Sequence, residues 1–339
     1  MSDGSPTVLV LGFPGGVARA AGELLAREGR AELRIMASER NVPAARRLAD
    51  RLAGAEVIEG DSERIDFGLC GERYLRLVEE VDELLCLEQP LAPGEGGHGG
   101  HSRHSAREVI ELFLASRRLR HLVVLSSLEV AGEGAGRFSE SDLDTGQSFW
   151  DDTAKERFRV ERIYSRFFRR VPLTVMRSGW LVGAGEGLVP LAQLLLAAGD
   201  DLGKSAARRP MMADAAAVAG IAAGLVGLAP ARGGRVMHLL DSERPSLEDL
   251  CAGVTSTARL LVPEGFDLQA GAQRSLRRSS DGMRWSQREL FRRIPEKTIV
   301  ADGYTRAFLK RHRLPSPDLG RDRIEDFSER AVEEIVGFK

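Results

Sequence analysis

Short continuous apolar runs alternate with amphipathic stretches through the first half of the chain. Thr7-Val-Leu-Val-Leu-Gly12 is such a run, the pattern of a strand buried on both faces. A glycine-rich turn follows, then helical spacing through Ala20, Leu24 and Leu25 that stops near Gly29. The same rhythm predicts strands at Leu33–Met36, Glu56–Glu59, Leu84–Leu87, His121–Ser126 and Leu173–Met176. Between them it predicts helices over Pro43–Leu52, Tyr74–Glu80, Ser105–Ser116 and Thr153–Arg169. Strands separated by helices imply right-handed crossovers and a doubly wound parallel α/β sheet, covered on both faces.

After Gly183 the rhythm changes. Leu188–Ala198 reads as an apolar helix, Asp214–Leu228 as a buried helix and Arg235–Leu240 as one more strand. From Pro245 onward the pattern is helical and loop, with no strand expected. A chain of 339 residues suits one large domain or two modest ones. The expected division is a sheet domain over 1–183, completed by about 207–241. A smaller substrate/C-terminal region would comprise 184–206 and 242–339.

Composition narrows the setting. The longest apolar stretch, Ala215–Leu228, has 14 residues, too short to span a bilayer. No basic segment precedes the first apolar run, so no leader peptide is expected. Three scattered cysteines, Cys70, Cys86 and Cys251, fit a reducing cytoplasm better than a disulfide framework. A formal net charge of -2 gives no global basic field, so neither nucleic acid nor a membrane surface is an expected partner.

The first chemistry-bearing motif is Gly12-Phe-Pro-Gly15-Gly16-Val17-Ala18, between the first strand and the first helix. Glycines let the backbone turn sharply and approach a pyrophosphate. The helix N-terminus supplies N–H groups and the positive end of its dipole. Gly12, Gly15, Gly16 and Val17 are therefore candidate cofactor-binding residues; the alternative is a plain tight turn. The second strand ends without the acidic residue that would hold a ribose 2′-hydroxyl. Ser38 and Arg40 follow it and would accept a 2′-phosphate, or Arg40 is simply a solvated loop arginine. Asp61 closes the third strand, placed either for an adenine amine or as a helix cap.

These residues, with Gly60-Asp61, Ser126-Ser-Leu-Glu-Val-Ala-Gly132 and Arg177-Ser-Gly-Trp-Leu-Val-Gly183, resemble an extended short-chain dehydrogenase/reductase. Further stretches resemble its thioester-reductase and fatty acyl-CoA reductase branch. They are Asp66-Phe-Gly-Leu69 with Tyr74 and Val81-Asp82, Glu140-Ser-Asp-Leu-Asp144 with Gly146-Gln147 and Phe149, and His238-Leu-Leu-Asp241. The resemblance runs from about Thr7 to Val254. It implies a Rossmann-like fold, NADP or NAD as cofactor, and a carbonyl or acyl thioester as substrate, either a small molecule or carrier-bound. A sugar-nucleotide epimerase or dehydratase is another reading within the same superfamily.

The resemblance also implies a catalytic serine after the fifth strand and a Tyr-x-x-x-Lys pair on the next helix, the tyrosine exchanging the proton. The serine falls on Ser127. The pair falls on Thr153 and Arg157, the register being anchored by Phe149 and Glu161. A threonine hydroxyl is far less acidic than a phenol. Arg157 can still hold ribose hydroxyls but cannot release its proton near neutral pH. No tyrosine lies between Tyr74 and Tyr164, so no shift of register restores the pair. The family's small pair after the fourth strand falls near Glu88-Gln89, its asparagine near Ser102, and its proline after the strand-end arginine on Ser178. A catalytically impaired homologue that serves as a nucleotide-binding or regulatory module is the alternative to an active NADP-preferring oxidoreductase.

Three other clusters carry weaker signals. His98, His101 and His104 lie in a glycine-rich loop. With no companion carboxylate or thiolate pattern, no metal is expected and a mobile lid or an exposed loop is. Asp142, Asp144, Asp151 and Asp152 crowd the start of the Thr153 helix and read best as partners of its dipole. Arg274–Arg313 carries twelve lysines and arginines against four acidic residues. That segment would either dock an acidic carrier protein or a CoA phosphate, or be a solvated face.

Overall fold

All seven predicted strands enter one parallel sheet in a computed structural model of the chain. It describes residues 5–52, 54–88, 102–133, 136–183, 189–198, 202–228, 233–263, 265–278, 294 and 298–336. The sheet strands are β1 (Thr7–Leu11), β2 (Glu32–Ala37), β3 (Glu56–Glu59), β4 (Glu83–Cys86), β5 (His121–Ser127), β7 (Leu173–Ser178) and β10 (Arg235–Leu239). Their spatial order is β10-β7-β5-β4-β1-β2-β3. The order reverses between β1 and β4, whose ends run side by side from Val8↔Glu83 to Leu11↔Cys86. In open α/β sheets that reversal opens a crevice at the carboxyl ends of the two strands. The fold is Rossmann-like.

Two layers of helix cover the sheet. On one face lie α1 (Gly16–Arg27), α2 (Val42–Ala49) and α7 (Ala215–Leu225), which share a core with Val8, Val10, Ile35 and Met237. On the other lie α3 (Gly71–Glu80), α4 (Arg103–Ala115) and α5 (Asp152–Ser165), which share one with Leu9, Leu84, Val124 and Val175. Alternate residues of each strand therefore serve opposite cores, which is why β1 and β5 are buried along their whole length. Several helices start on side-chain caps. Ser102 accepts from His104 and Ser105 N–H at α4, Asp151 from Ala154 N–H at α5, and Asp214 from Ala216 N–H at α7.

A third core joins α6 (Val189–Ala198), α8 (Leu247–Leu261), α9 (Leu268–Arg278) and α11 (Arg321–Val336). Its sequences match the helical expectation, with a Ser246/Asp249 capping box opening α8. The expectation of no strand after Pro245 is corrected. β11 (Thr298–Val300) pairs with β6 (Gly136–Phe138), and α10 (Gly303–His312) follows it. A second small pair joins β8 (Trp180–Val182) to β9 (Met212–Asp214). These four strands are three residues each, too short for a period to be read. Among the described residues no helix is long and apolar enough to cross a membrane. His98 and His101 lie outside the described residues, as does much of the basic tail segment.

Candidate functional site

The glycine turn sits where β1 meets α1, at the carboxyl-end crevice. Gly12 has φ +105°, and a Cβ there would lie 2.5 Å from the Leu87 carbonyl carbon. Only glycine satisfies both the dihedral and the contact. The Gly15 N–H closes the turn on the Gly12 carbonyl at 2.8 Å. Gly15 is then the N-cap of α1 and brings no capping side chain. The Val17 and Ala18 side chains are buried in the core beneath, so this turn offers backbone to the crevice. A glycine turn at a helix N-terminus fits a dinucleotide pyrophosphate. Gly12→Val should leave the chain destabilised by more than 2 kcal/mol in denaturant titration, since both the positive φ and the backbone overlap must be relieved, each of which costs on the order of 1–3 kcal/mol.

Neighbouring strands end at the same side. Ser38 follows β2, and its hydroxyl accepts from the Asn41 side chain at 3.1 Å. Arg40 is exposed one short turn later. Asp61 follows β3 and is engaged locally. One of its oxygens accepts from Glu63 N–H at 3.0 Å, and the other lies 3.8 Å from Arg64. The carboxylate is engaged in a local turn and does not cap the next short helix, whose N-cap is Arg64. Beyond β4, Glu88 is buried. It accepts from the Ser62 hydroxyl at 2.5 Å and the Ser105 hydroxyl at 2.9 Å. A carboxylate thus stands beside the turn that would face an anionic pyrophosphate, with two serines absorbing part of its charge.

The second cluster lies where β5 and β7 end. Register places Ser126 opposite Arg177 and Ser127 opposite Ser178. Ser127 accepts from Glu129 N–H at 3.2 Å and lies 3.4 Å from Arg157 Nη1. Arg157 is ion-paired with Glu129, whose other oxygen accepts from Trp180 Nε1 at 3.1 Å. The structure therefore brings Ser127 and Arg157 together and adds two residues the sequence reading left out, Glu129 and Trp180. Nothing in the spacing announces them, because Glu129 sits in a 3₁₀ turn and Trp180 in a three-residue strand. Thr153 lies one helical turn before Arg157 on α5, partly exposed. Ser127, Glu129, Trp180, Met211 and Ile294 line a narrow crevice. Gly179 permits it, since a Cβ there would lie 2.5 Å from the Met211 carbonyl oxygen.

None of the chain's tyrosines supplies the missing phenol. Tyr164 is fully buried in the α5-side core, where desolvation and then Cys86 and Glu88 raise its pKa well above the usual value. Tyr74 is pushed up to about 12, by burial first and then by Asp66 and its acidic neighbours. Tyr304 lies on α10 and is exposed.

Beneath this cluster runs a buried polar chain. Glu161 accepts from the Ser126 hydroxyl at 2.6 Å and pairs with Arg177 at 2.6 Å. Arg177 Nη1 lies 3.0 Å from His238 Nε2, and His238 Nδ1 lies 2.8 Å from the Ala301 carbonyl. The carbonyl can only accept, so Nδ1 carries the proton and Nε2 accepts from Arg177. Burial, and then the Arg177 charge, lower the His238 pKa from 6.5 to about 3. Above pH 6.5 the imidazole is neutral folded or unfolded. Between 6.5 and about 3 only the unfolded chain takes up this proton, so stability falls as pH falls, at about 1.4 kcal/mol per pH unit. Denaturant titrations from pH 6.5 to 5 should show that slope, and His238→Asn should flatten it.

Among the described residues there is no cluster of three or more metal-ligating side chains. No family model matches the chain, and no curated protein does. Solved structures do match. The terminal reductase domain of the myxalamid PKS-NRPS pathway superposes with a TM-score of 0.72 at 17% identity, covering 100% of this chain and 93% of that one. The reductase domain of a Mycobacterium tuberculosis nonribosomal peptide synthetase gives 0.70 at 15% identity, covering 100% and 93%. The yeast methylglyoxal/isovaleraldehyde reductase Gre2, complexed with NADPH, gives 0.66 at 12% identity, covering 98% and 99%. At these identities the shared property is the fold alone, a Rossmann-like parallel sheet.

Proposed function

We propose that the chain is a nicotinamide dinucleotide-binding oxidoreductase of reductase type, NADP-preferring, whose ordinary proton-transfer machinery is impaired. The observation that carries this reading is the Gly12–Gly16 turn at the β1/β4 reversal, together with the Arg157–Glu129 pair in place of the expected ammonium. The N–H groups at the start of α1 would hold the pyrophosphate. Ser38 and Arg40 would hold a 2′-phosphate, while Asp61, spent on its own turn, contributes less. Bound there, the cofactor supplies a hydride. Ser127 would orient the substrate oxygen of a carbonyl or acyl thioester, free or carrier-bound. Arg157 would steady ribose hydroxyls or a developing oxyanion without releasing a proton. That the three solved neighbours are called reductases, one of them holding NADPH, supports the same choice.

Calorimetry decides the cofactor. NADP should bind at least tenfold more tightly than NAD, about 1.4 kcal/mol, and Arg40→Ser should remove most of that margin. Equal or tighter binding of NAD would overturn the preference. Gly15→Asp should abolish binding of both by placing a carboxylate against the pyrophosphate. Retained binding would move the cofactor away from this turn.

A further inference from the structure

The crevice at the ends of β5 and β7 carries an uneven charge. Among the described residues its lining holds one carboxylate, Glu129, and no lysine or arginine. The rest is two serines and apolar surface, chiefly Leu128, Trp180 and Met211. Its free volume is about 10 Å³, room for about one water-sized group. Only the polar tip of a substrate enters, and its body lies at the mouth.

Glu129 is held firmly at this lining. It is 4% exposed. Its own N–H donates to the Ser127 hydroxyl at 3.2 Å, one carboxylate oxygen accepts from Trp180 Nε1 at 3.1 Å, and the other pairs with Arg157. Arg157 approaches from α5, behind Glu129, with Nη1 3.4 Å from Ser127 Oγ. The pair therefore turns its negative end toward the substrate. Where little water reaches, such a charge is weakly screened. An anionic tip meets the carboxylate first, and the nearest cation is already matched. An uncharged carbonyl escapes that repulsion, and the Ser127 hydroxyl, which accepts from Glu129 N–H, has its own hydrogen to donate to it.

We propose that Glu129 is the specificity-determining residue of this crevice: backed by Arg157, it admits the uncharged carbonyl tip of an acyl compound and turns away a carboxylate of the same shape. The inference deepens the proposed function and rests on its placing the acyl substrate here.

The test compares hexanamide with hexanoate, alike in shape and one charge apart near pH 7. Each is titrated into the full chain without dinucleotide, followed by calorimetry and by tryptophan emission. Hexanamide should bind about tenfold or more tightly than hexanoate. Trp180→Phe should remove the emission change and leave the heat, which places the probe in the crevice. Glu129→Gln frees the Arg157 charge and should reverse the order, with hexanoate the tighter ligand. A merely structural role would weaken both probes and leave their order alone. Glu129→Gln with Arg157→Met carries neither charge and should bring the probes within about twofold of each other; it carries the test if the single exchange melts early. The proposal is overturned if the native chain binds hexanoate as tightly as hexanamide, or if hexanamide shows no saturable binding at millimolar concentration. An emission change that survives Trp180→Phe, or folded Glu129 variants that keep the native preference, overturns it as well. Failure of NADP to bind, with the reversal intact, overturns the cofactor reading alone. Loss of the reversal with NADP still binding overturns this inference alone.

Discussion

Turnover of ordinary aldehydes and acyl thioesters by the native chain is expected to be slow, about 10²–10⁴-fold below that of an enzyme with a working acid–base pair. The reaction needs a proton delivered to the substrate oxygen as hydride arrives. A phenol with its pKa pulled down by a neighbouring ammonium does this near pH 7. Thr153 cannot be pulled that far, Tyr164 is locked in the core with its pKa raised, and Arg157 stays charged and paired with Glu129. The double exchange Thr153→Tyr with Arg157→Lys should raise the residual rate. Adding Glu88→Ala should raise it further if the buried carboxylate beside the turn also weakens cofactor binding. Single-turnover kinetics with saturating dinucleotide separates the two effects. A brisk native rate, abolished by Ser127→Ala and untouched by Thr153→Val, would show that chemistry has moved to other residues. The reading of an impaired site would then be abandoned.

How far sequence reaches depends on the length of the signal. β1, β5 and β7 are five to seven residues long, each carries a short apolar run, and each lies where the alternation puts it. The turn at Gly12–Gly16 is legible because glycine there has a steric cause, the Leu87 backbone within 2.5 Å of a would-be Cβ. Ser127 and Arg157 are reached through motif register, and they do meet in space. Glu129 and Trp180 are not reached. Their meaning lies in which arginine and which strand they face across 28 and 51 residues of chain, a tertiary fact with no local period. The same holds for Glu88, which spacing marks as out of place but which only the fold assigns to Ser62 and Ser105. Arg235 carries no motif at all; that its guanidinium lies over the Phe308 ring is a tertiary fact of the same kind.

Arg177→Met should destabilise the chain by about 3–5 kcal/mol in denaturant titration, the largest loss expected from any single exchange outside the glycine turn. Arg177 is 1% exposed and Glu161 2%, so water cannot take over the arginine's role. Its removal leaves the Glu161 carboxylate buried with the Ser126 hydroxyl as its remaining strong donor, and leaves His238 Nε2 without the hydrogen it accepts. The guanidinium also lies 5.1 Å from the Phe138 ring, on the strand that pairs with β11. The damage should therefore extend to the contact between the sheet and the 298–312 segment. Losing one partner costs more than losing both, because the unpaired charge, not the missing attraction, dominates the penalty. Arg177→Met combined with Glu161→Leu should accordingly recover part of the loss, and the two changes should be strongly non-additive. If Arg177→Met alone costs under about 1 kcal/mol, the pair is solvated or rearranges freely. In that case the buried chain from Ser126 to Ala301 does not hold the carboxyl ends of β5, β7 and β10 together.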